Sequence, residues 1–244
     1  MVRKQYKTFY IIEYTPEEFK LIYWDKTKNL IRYPHYFSGG FFAYYAKVVN
    51  GKKIYYTLPV ANICADNGGN IPLVAQRDIN EWTNNKGLLN NKVILSCDEN
   101  GKDNFHNKNV STLLVYNNNN IEVKDIHILP SNIKYAISGV PCIRDKQDVD
   151  WEHYVEPQGW KDDVMRATYR NWLAIKDNNI FLISGRTRTT NYVYGMEFFK
   201  AMKDLNLEDC IGLDGGGSYR LYSKGWLNIA TAGARTINNI GVIG

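Results

Sequence analysis

Short runs of β-branched and aromatic residues, bounded by Asn, Asp and Gly, recur along most of the chain, and this pattern restricts it to a strand-rich fold. Thr8-Phe9-Tyr10-Ile11-Ile12-Glu13-Tyr14 and Lys92-Val93-Ile94-Leu95-Ser96-Cys97 have the length and residue types of strands. Further strands are expected from Lys53 to Leu58, Ser111 to Tyr116, Ile121 to Leu129, Trp172 to Lys176, Ile180 to Ser184, Cys210 to Leu213, Arg220 to Tyr222 and Ile237 to Val242. Asn50-Gly51 and Asn178-Asn179 tolerate the positive φ of tight hairpin turns, and the run Asn117 to Asn120 is expected at a solvated hairpin tip. Helices are expected from Asn70 to Trp82 and from Gly195 to Leu207. In the second, Phe198, Ala201, Met202 and Leu205 recur at i, i+3, i+4 and i+7 and form one apolar stripe that covers a sheet. The fold class expected is therefore α+β: a mixed, strand-rich sheet with hairpins and a few covering helices.

With 244 residues, 44% of them hydrophobic, the chain can enclose a substantial core, and a formal net charge of only +5 argues against disorder. No Pro/Gly/Ser-rich linker divides it, so one domain over 1–244 is expected. No basic stripe accompanies the mild positive charge, which speaks against a nucleic-acid partner. Cys64, Cys97, Cys142 and Cys210 are widely spaced with no CxxC pair, so they read as reduced, buried thiols, and neither a metal nor another cofactor is expected. No apolar run approaches the ~20 residues of a membrane helix, and no signal-peptide pattern opens the chain. A cytoplasmic protein with no membrane partner is the expectation; no feature of the sequence fixes an oligomeric state.

The sharpest local signal is Ile211-Gly212-Leu213-Asp214-Gly215-Gly216-Gly217-Ser218, an apolar strand ending in an acid and three glycines. Consecutive glycines suit a turn at positive φ or a backbone that a ligand touches, and such a turn can aim N–H groups at an anion. The alternative is a plain turn in which Asp214 bonds its own loop. A second glycine pair, Gly39-Gly40, lies between Phe37-Ser38 and Phe41-Phe42. A third strand, Leu182-Ile183-Ser184, ends in Gly185-Arg186-Thr187-Arg188. Arginine offers a planar fork suited to phosphate, although Arg188 reads best as solvated surface. Another strand opens at Arg235.

In this order the motifs resemble the phosphodiester glycosidase family. Its members are similar in carrying NGGFF, a GP-type strand turn, an RT-type strand, a GR strand end, a helix opening GMT, an NLDGGGS turn, and a last strand with Arg and an Asn before Gly. The matching stretches here are Ser38 to Phe42, Ala136 to Pro141, Arg170 to Ile175, Gly185-Arg186, Gly195-Met196, Gly212 to Ser218 and Arg235 to Val242. The resemblance is strong from about Arg170 onward and patchy from Tyr33 to Pro141. It is absent over 1–32, which reads as an N-terminal strand extension. Ser38 and Gly212 stand where the family has Asn, and Glu197 where it has Thr.

The resemblance implies a hydrolase that cleaves the glycosidic bond of a sugar 1-phosphodiester, giving free sugar and a phosphomonoester, with a small-molecule or glycan sugar phosphate as partner. It implies Asp214, Arg186 and Ser218 as catalytic residues. The implied substrate-binding set is Ser38, Gly39, Gly40, Arg170, Gly185, Gly215, Gly216, Gly217, Arg235 and Asn239. Asp214 has three open roles, nucleophile, base or counter-charge, and Glu197 and Asp66 are the candidates for a second carboxylate. His35, His106, His127 and His153 have no recognisable partner, and His127 reads as a satisfied, partly buried residue. Tyr44, Tyr45, Tyr55 and Tyr56 read as strand packing rather than sugar-stacking platforms. Two other function classes stay open: a non-catalytic sugar-phosphate or glycan-binding module, suggested by the replaced Asn positions, and a viral structural or interaction protein, suggested by the Asn/Lys/Ile/Tyr-rich composition.

Overall fold

The computed structural model describes residues 2–6, 9–23, 33–59, 61–67, 88–89, 92–95, 108–160, 164, 168–186, 202–230 and 239–243. These residues are mostly strand. In chain order the strands are β1 Val2–Tyr6, β2 Phe9–Tyr14, β3 Phe19–Tyr23, β4 His35–Ser38, β5 Phe42–Val49, β6 Lys52–Pro59, β7 Ile63–Asn67, β8 Leu88–Leu89, β9 Lys92–Leu95 and β10 Val110–Tyr116. They continue as β11 Ile121–Ile126, β12 Ile133–Ser138, β13 Val140–Arg144, β14 Gln147–Asp148, β15 Tyr169–Lys176, β16 Asn179–Arg186, β17 Asp209–Gly212, β18 Arg220–Ser223, β19 Leu227–Ala230 and β20 Asn239–Ile243.

Among the described residues, one sheet of seven strands has the order β1-β2-β16-β15-β17-β13-β14. A second, of eleven strands, has the order β11-β10-β12-β7-β3-β20-β4-β18-β19, with β9 on β7 and β8 on β9. Strands β5 and β6 pair as a separate two-stranded ribbon. The period-2 alternation of side chains explains how these sheets pack. Ile12, Tyr14, Leu173, Ile175, Ile180 and Leu182 of the first sheet meet Phe19, Leu21, Phe37, Leu113, Val115, Tyr135 and Ile137 of the second in one buried core. The alternate residues Phe9, Ile11, Trp172, Ala174, Phe181 and Ile183 point the other way and are buried with Val155, Trp160, Met202 and Leu207. Both faces of β2, β15 and β16 are thus covered, which is why those segments read as nearly continuous apolar runs.

The chain passes between the sheets at Gly139, with β12 in the second sheet and β13 in the first. A Cβ there would lie 2.6 Å from the Gly212 carbonyl oxygen, so only glycine permits the crossing. Among the described residues, polar links join the sheets near their edges. Arg144 of β13 reaches Asp125 of β11 and donates from Nε to the Tyr154 hydroxyl (2.9 Å), while Ser111 Oγ donates to the same carboxylate (2.6 Å). Arg3 of β1 donates from Nη1 to the Lys224 carbonyl (3.2 Å) and from Nη2 to His35 Nε2 of β4 (3.1 Å).

Several expectations change. The strand-rich sheets and hairpins are as expected, but the architecture is mostly β, so the α+β class with covering helices fits it only loosely. The helical elements among the described residues are short turns: Trp151–Val155, Glu156–Gln158, Lys203–Leu205 and Gly216–Ser218. The expected helix from Asn70 to Trp82 lies outside the described residues, as does most of the one from Gly195 to Leu207. The end of the latter is a single turn, Lys203–Leu205, stopped by Asn206 at φ 51°; Met202 and Leu207 lie buried on the outer face of the seven-stranded sheet. Strand β11 stops at Ile126, before Leu129. The β15–β16 turn uses Asp177 and Asn178, at φ 49° and 57°, one residue earlier than expected. His127 is not satisfied on both sides, since its Nδ1 is buried without a hydrogen-bond partner among the described residues. The N-terminal segment is built into the core: β2 lies between β1 and β16, and β3 between β7 and β20. Cys64, Cys142 and Cys210 are free and buried; Cys97 lies outside the described residues.

His35 makes a testable electrostatic contribution. Arg3 can only donate, so His35 Nε2 accepts, and Nδ1 carries the proton it shares with Ser223 Oγ (2.8 Å). The ring is 3% exposed and therefore neutral, and burial, with the Arg3 charge, lowers its pKa to about 4. Between the unfolded value near 6.5 and about 4, the unfolded chain binds the extra proton, so stability falls as pH falls through this window. Urea unfolding is expected to lose about 2 kcal/mol between pH 7 and pH 5 through this residue. His35→Gln should flatten that slope; an equal slope in both proteins would contradict the assignment.

Candidate active site

Strand register brings most of the expected site residues to one end of the sandwich. In the seven-stranded sheet Tyr169 pairs with Arg186 and Arg170 with Gly185, while Trp172 pairs with Gly212 on the other side of β15. Leu213 N donates to the Asn171 carbonyl (2.8 Å) and extends that ladder, so Asp214 emerges level with Arg170. Arg186 and Asp214 therefore leave the same end of the sheet, on the two strands flanking β15, with backbones roughly 10 Å apart. In the other sheet β4 ends at Ser38, followed by Gly39 and Gly40, and β18 begins beside it at Arg220. Ile240 pairs with Ser38, which sets the Asn239 backbone level with Gly39. Gly40 packs against Ile137 at the end of β12.

Beneath this end lies a buried amide. Asn171 Nδ2 donates to Ser38 Oγ (2.8 Å), Ser38 O (3.3 Å) and Arg220 O (3.1 Å), crossing from one sheet to the other. Its Oδ1 accepts from Ser184 Oγ (2.6 Å), whose oxygen in turn accepts from the Tyr219 hydroxyl (2.8 Å). Ser38 Oγ also accepts from Arg220 N (3.2 Å). Ser38, expected to bind substrate, is thus 1% exposed and its hydroxyl is engaged in the tie between the sheets. Burial raises the Tyr219 phenol to about 12, so it remains a neutral donor.

The Asp214–Ser218 turn rests on this frame. The partly exposed Asp214 carboxylate accepts from Gly215 N through Oδ1 (2.8 Å), which orients it. Gly215 consequently spends its N–H inside the loop, and the expectation that this group is aimed at an anion is corrected. Gly216 has φ +59°, and Gly216–Ser218 form one tight turn closed by Ser218 N to Gly215 O (3.1 Å). Ser218 Oγ is buried with no hydrogen-bond partner among the described residues. Arg170 is 4% exposed and runs beneath the loop. A Cβ on Gly215 would lie 2.6 Å from both Tyr169 O and Arg170 Cγ.

Arg186 is exposed, and its Cζ lies over the Tyr169 ring at 5.7 Å from the centroid. The Tyr169 ring packs in turn on Tyr219, with centroids 5.1 Å apart. Asp66 accepts from the Tyr135 hydroxyl (2.7 Å), and the register Asp66–Ile22–Ile240–Ser38 sets it three strands across the second sheet from Ser38. Arg235, Glu197 and Arg188 lie outside the described residues, as do the side chains of Asn239, Tyr44, Tyr45, Tyr55 and Tyr56. Sequence reasoning missed Tyr169, Asn171, Ser184 and Tyr219. The signal available was an Asn at an inward-facing strand position beside Trp172 and Leu173, where an unpartnered amide would be costly.

The loop geometry predicts that Gly215→Ala costs about 1–3 kcal/mol in urea unfolding, because the clash is with backbone and with a buried side chain. Gly225→Ala, at φ +74° but with no atom within 4 Å, bears only backbone strain of about 1 kcal/mol. A Gly215→Ala protein as stable as wild type would contradict this packing.

Comparison with known proteins agrees with the motif order. The catalytic domain of zebrafish N-acetylglucosamine-1-phosphodiester alpha-N-acetylglucosaminidase, solved auto-inhibited by its pro-peptide, superposes with a TM-score of 0.57. It is 14% identical, and the match covers 96% of this chain and 76% of that one. A hypothetical protein from Synechocystis (TM-score 0.47, 12% identity, 96% and 58% coverage) and a putative exported protein from Burkholderia pseudomallei K96243 (0.43, 10%, 96% and 73%) are also similar. No curated protein sequence matches. The family model for phosphodiester glycosidases matches residues 62–243, well over half of the chain, which takes in Arg170, Gly185-Arg186 and Asp214 to Ser218 but not Ser38 to Gly40, and the chain belongs to the phosphodiester glycosidase family.

Proposed function

We propose that this protein hydrolyses the bond between a sugar's anomeric carbon and the phosphate of a phosphodiester. The observation that carries this reading is the convergence of Arg186, Asp214 and the glycine turns on one sandwich end, in a chain of this family. Water adds to the anomeric carbon as the carbon–oxygen bond to phosphate breaks. The leaving oxygen keeps the electron pair, giving a phosphomonoester, and the water gives up a proton. A phosphate ester is a good leaving group, so the protein's main tasks are to hold its charge and to stabilise an oxocarbenium-like transition state. Arg186 supplies the exposed cation. Asp214, oriented by Gly215 N–H, supplies the carboxylate facing the positive anomeric centre. The buried Ser218 hydroxyl adds a polar atom to the same loop. Arg170, beneath Gly215, supports the loop and adds positive charge below it.

Incubation with a panel of sugar 1-phosphodiesters, read by mass spectrometry for free sugar, tests the reading. Asp214→Asn is expected to lower turnover at least ~100-fold with the fold intact. Arg186→Lys is expected to lower kcat as well as raise KM, since lysine cannot reproduce a bidentate contact that tightens as phosphate leaves. Binding of a sugar phosphate without turnover of any substrate would favour a non-catalytic module.

A further inference from the structure

Arg186 ends its strand in solvent, where a long side chain has several rotamers and loses entropy on fixing an anion. What sets it apart from other surface arginines is the ring beneath it. Tyr169 is its direct cross-strand partner, and the guanidinium carbon lies 5.7 Å from that ring's centroid, within cation–π range. Tyr169 is itself held by Tyr219, which is fully buried and hydrogen-bonded through Ser184 to Asn171. The position of an exposed cation is thereby referred, through two rings packed at a tilt, to the polar tie in the core. A guanidinium held over an aromatic face can keep its N–H donors directed outward, the arrangement bidentate phosphate binding requires.

We propose that Tyr169 is a positioning residue: its ring pre-orients Arg186 for the phosphate group of the substrate. The inference rests on the reading of Arg186 as the phosphate ligand, and it adds a residue that touches no reacting atom. The ring rather than the hydroxyl carries the effect, so Tyr169→Phe should behave as wild type. Tyr169→Leu, which removes the ring, should weaken anion binding about tenfold.

The test is calorimetric titration of the full chain with inorganic phosphate, alongside kcat and KM on any phosphodiester the wild type hydrolyses. Because Tyr169 packs against the core, the ring should also be replaced by fluorinated phenylalanines, which keep its shape and drain its negative face. Phosphate affinity is expected to fall stepwise with fluorination, and Tyr169→Leu/Arg186→Ala should bind no more weakly than Arg186→Ala alone. Unchanged affinity across the fluorinated series, multiplying losses in the double variant, or no phosphate binding by the wild type would each overturn the proposal. Coupled phosphate binding without turnover of any phosphodiester would sustain it while refuting the glycosidase reading. Turnover indifferent to the ring would refute it and leave that reading standing.

Discussion

The Asn171 side chain is the constraint on which the site depends. Apolar faces of two sheets can slide over one another at little cost, because hydrophobic burial is non-directional. A buried amide cannot: leaving its donors or acceptor unpaired costs on the order of 1–3 kcal/mol for each group. Asn171 meets that demand only when β4, β15, β16 and β18 stand in one register, with Ser38, Ser184 and the Arg220 carbonyl all in reach. That register delivers Arg186, Asp214 and Gly39-Gly40 to the same end. The hydrophobic core stabilises the sandwich, and the amide selects which sandwich forms.

The same argument accounts for one of the positions at which the chain departs from its family's motif. Serine at position 38 keeps a hydroxyl that accepts from both Asn171 and the Arg220 amide, so this position serves the frame. The groups at this end that stay at least partly exposed are the Arg186 guanidinium and the Asp214 carboxylate, which the proposed function uses for recognition. Gly215 is compelled by proximity, since the Tyr169 carbonyl and the Arg170 stem occupy the space a side chain would need.

The strands whose pattern is purely local were legible. β2, β10, β15 and β16 alternate or run apolar between turn residues, and the Asn50-Gly51 and Asn117–Asn120 turns fall where expected. β12 and β13 escaped because only Gly139 separates them, and the change of sheet there depends on the Gly212 backbone, far away in sequence. β3 and β4 are short and flanked by weak turn signals. The glycine and arginine motifs announced the family by their order. The Tyr169–Tyr219 ring contact and the Asn171 ties stayed hidden, because their partners lie up to 133 residues apart and only the folded register joins them.

The central claim is that one end of the sandwich, formed by strand ends from both sheets, is the phosphodiester site. Titration of isotope-labelled protein with a non-hydrolysable sugar 1-phosphonate ester, followed through backbone amide chemical shifts, tests it most directly. The account predicts that saturable shifts concentrate at Gly39-Gly40, Gly185-Arg186 and Asp214 through Ser218. Saturable shifts centred instead on the opposite end, around Asn117–Asn120 and Asp177-Asn178, would contradict it.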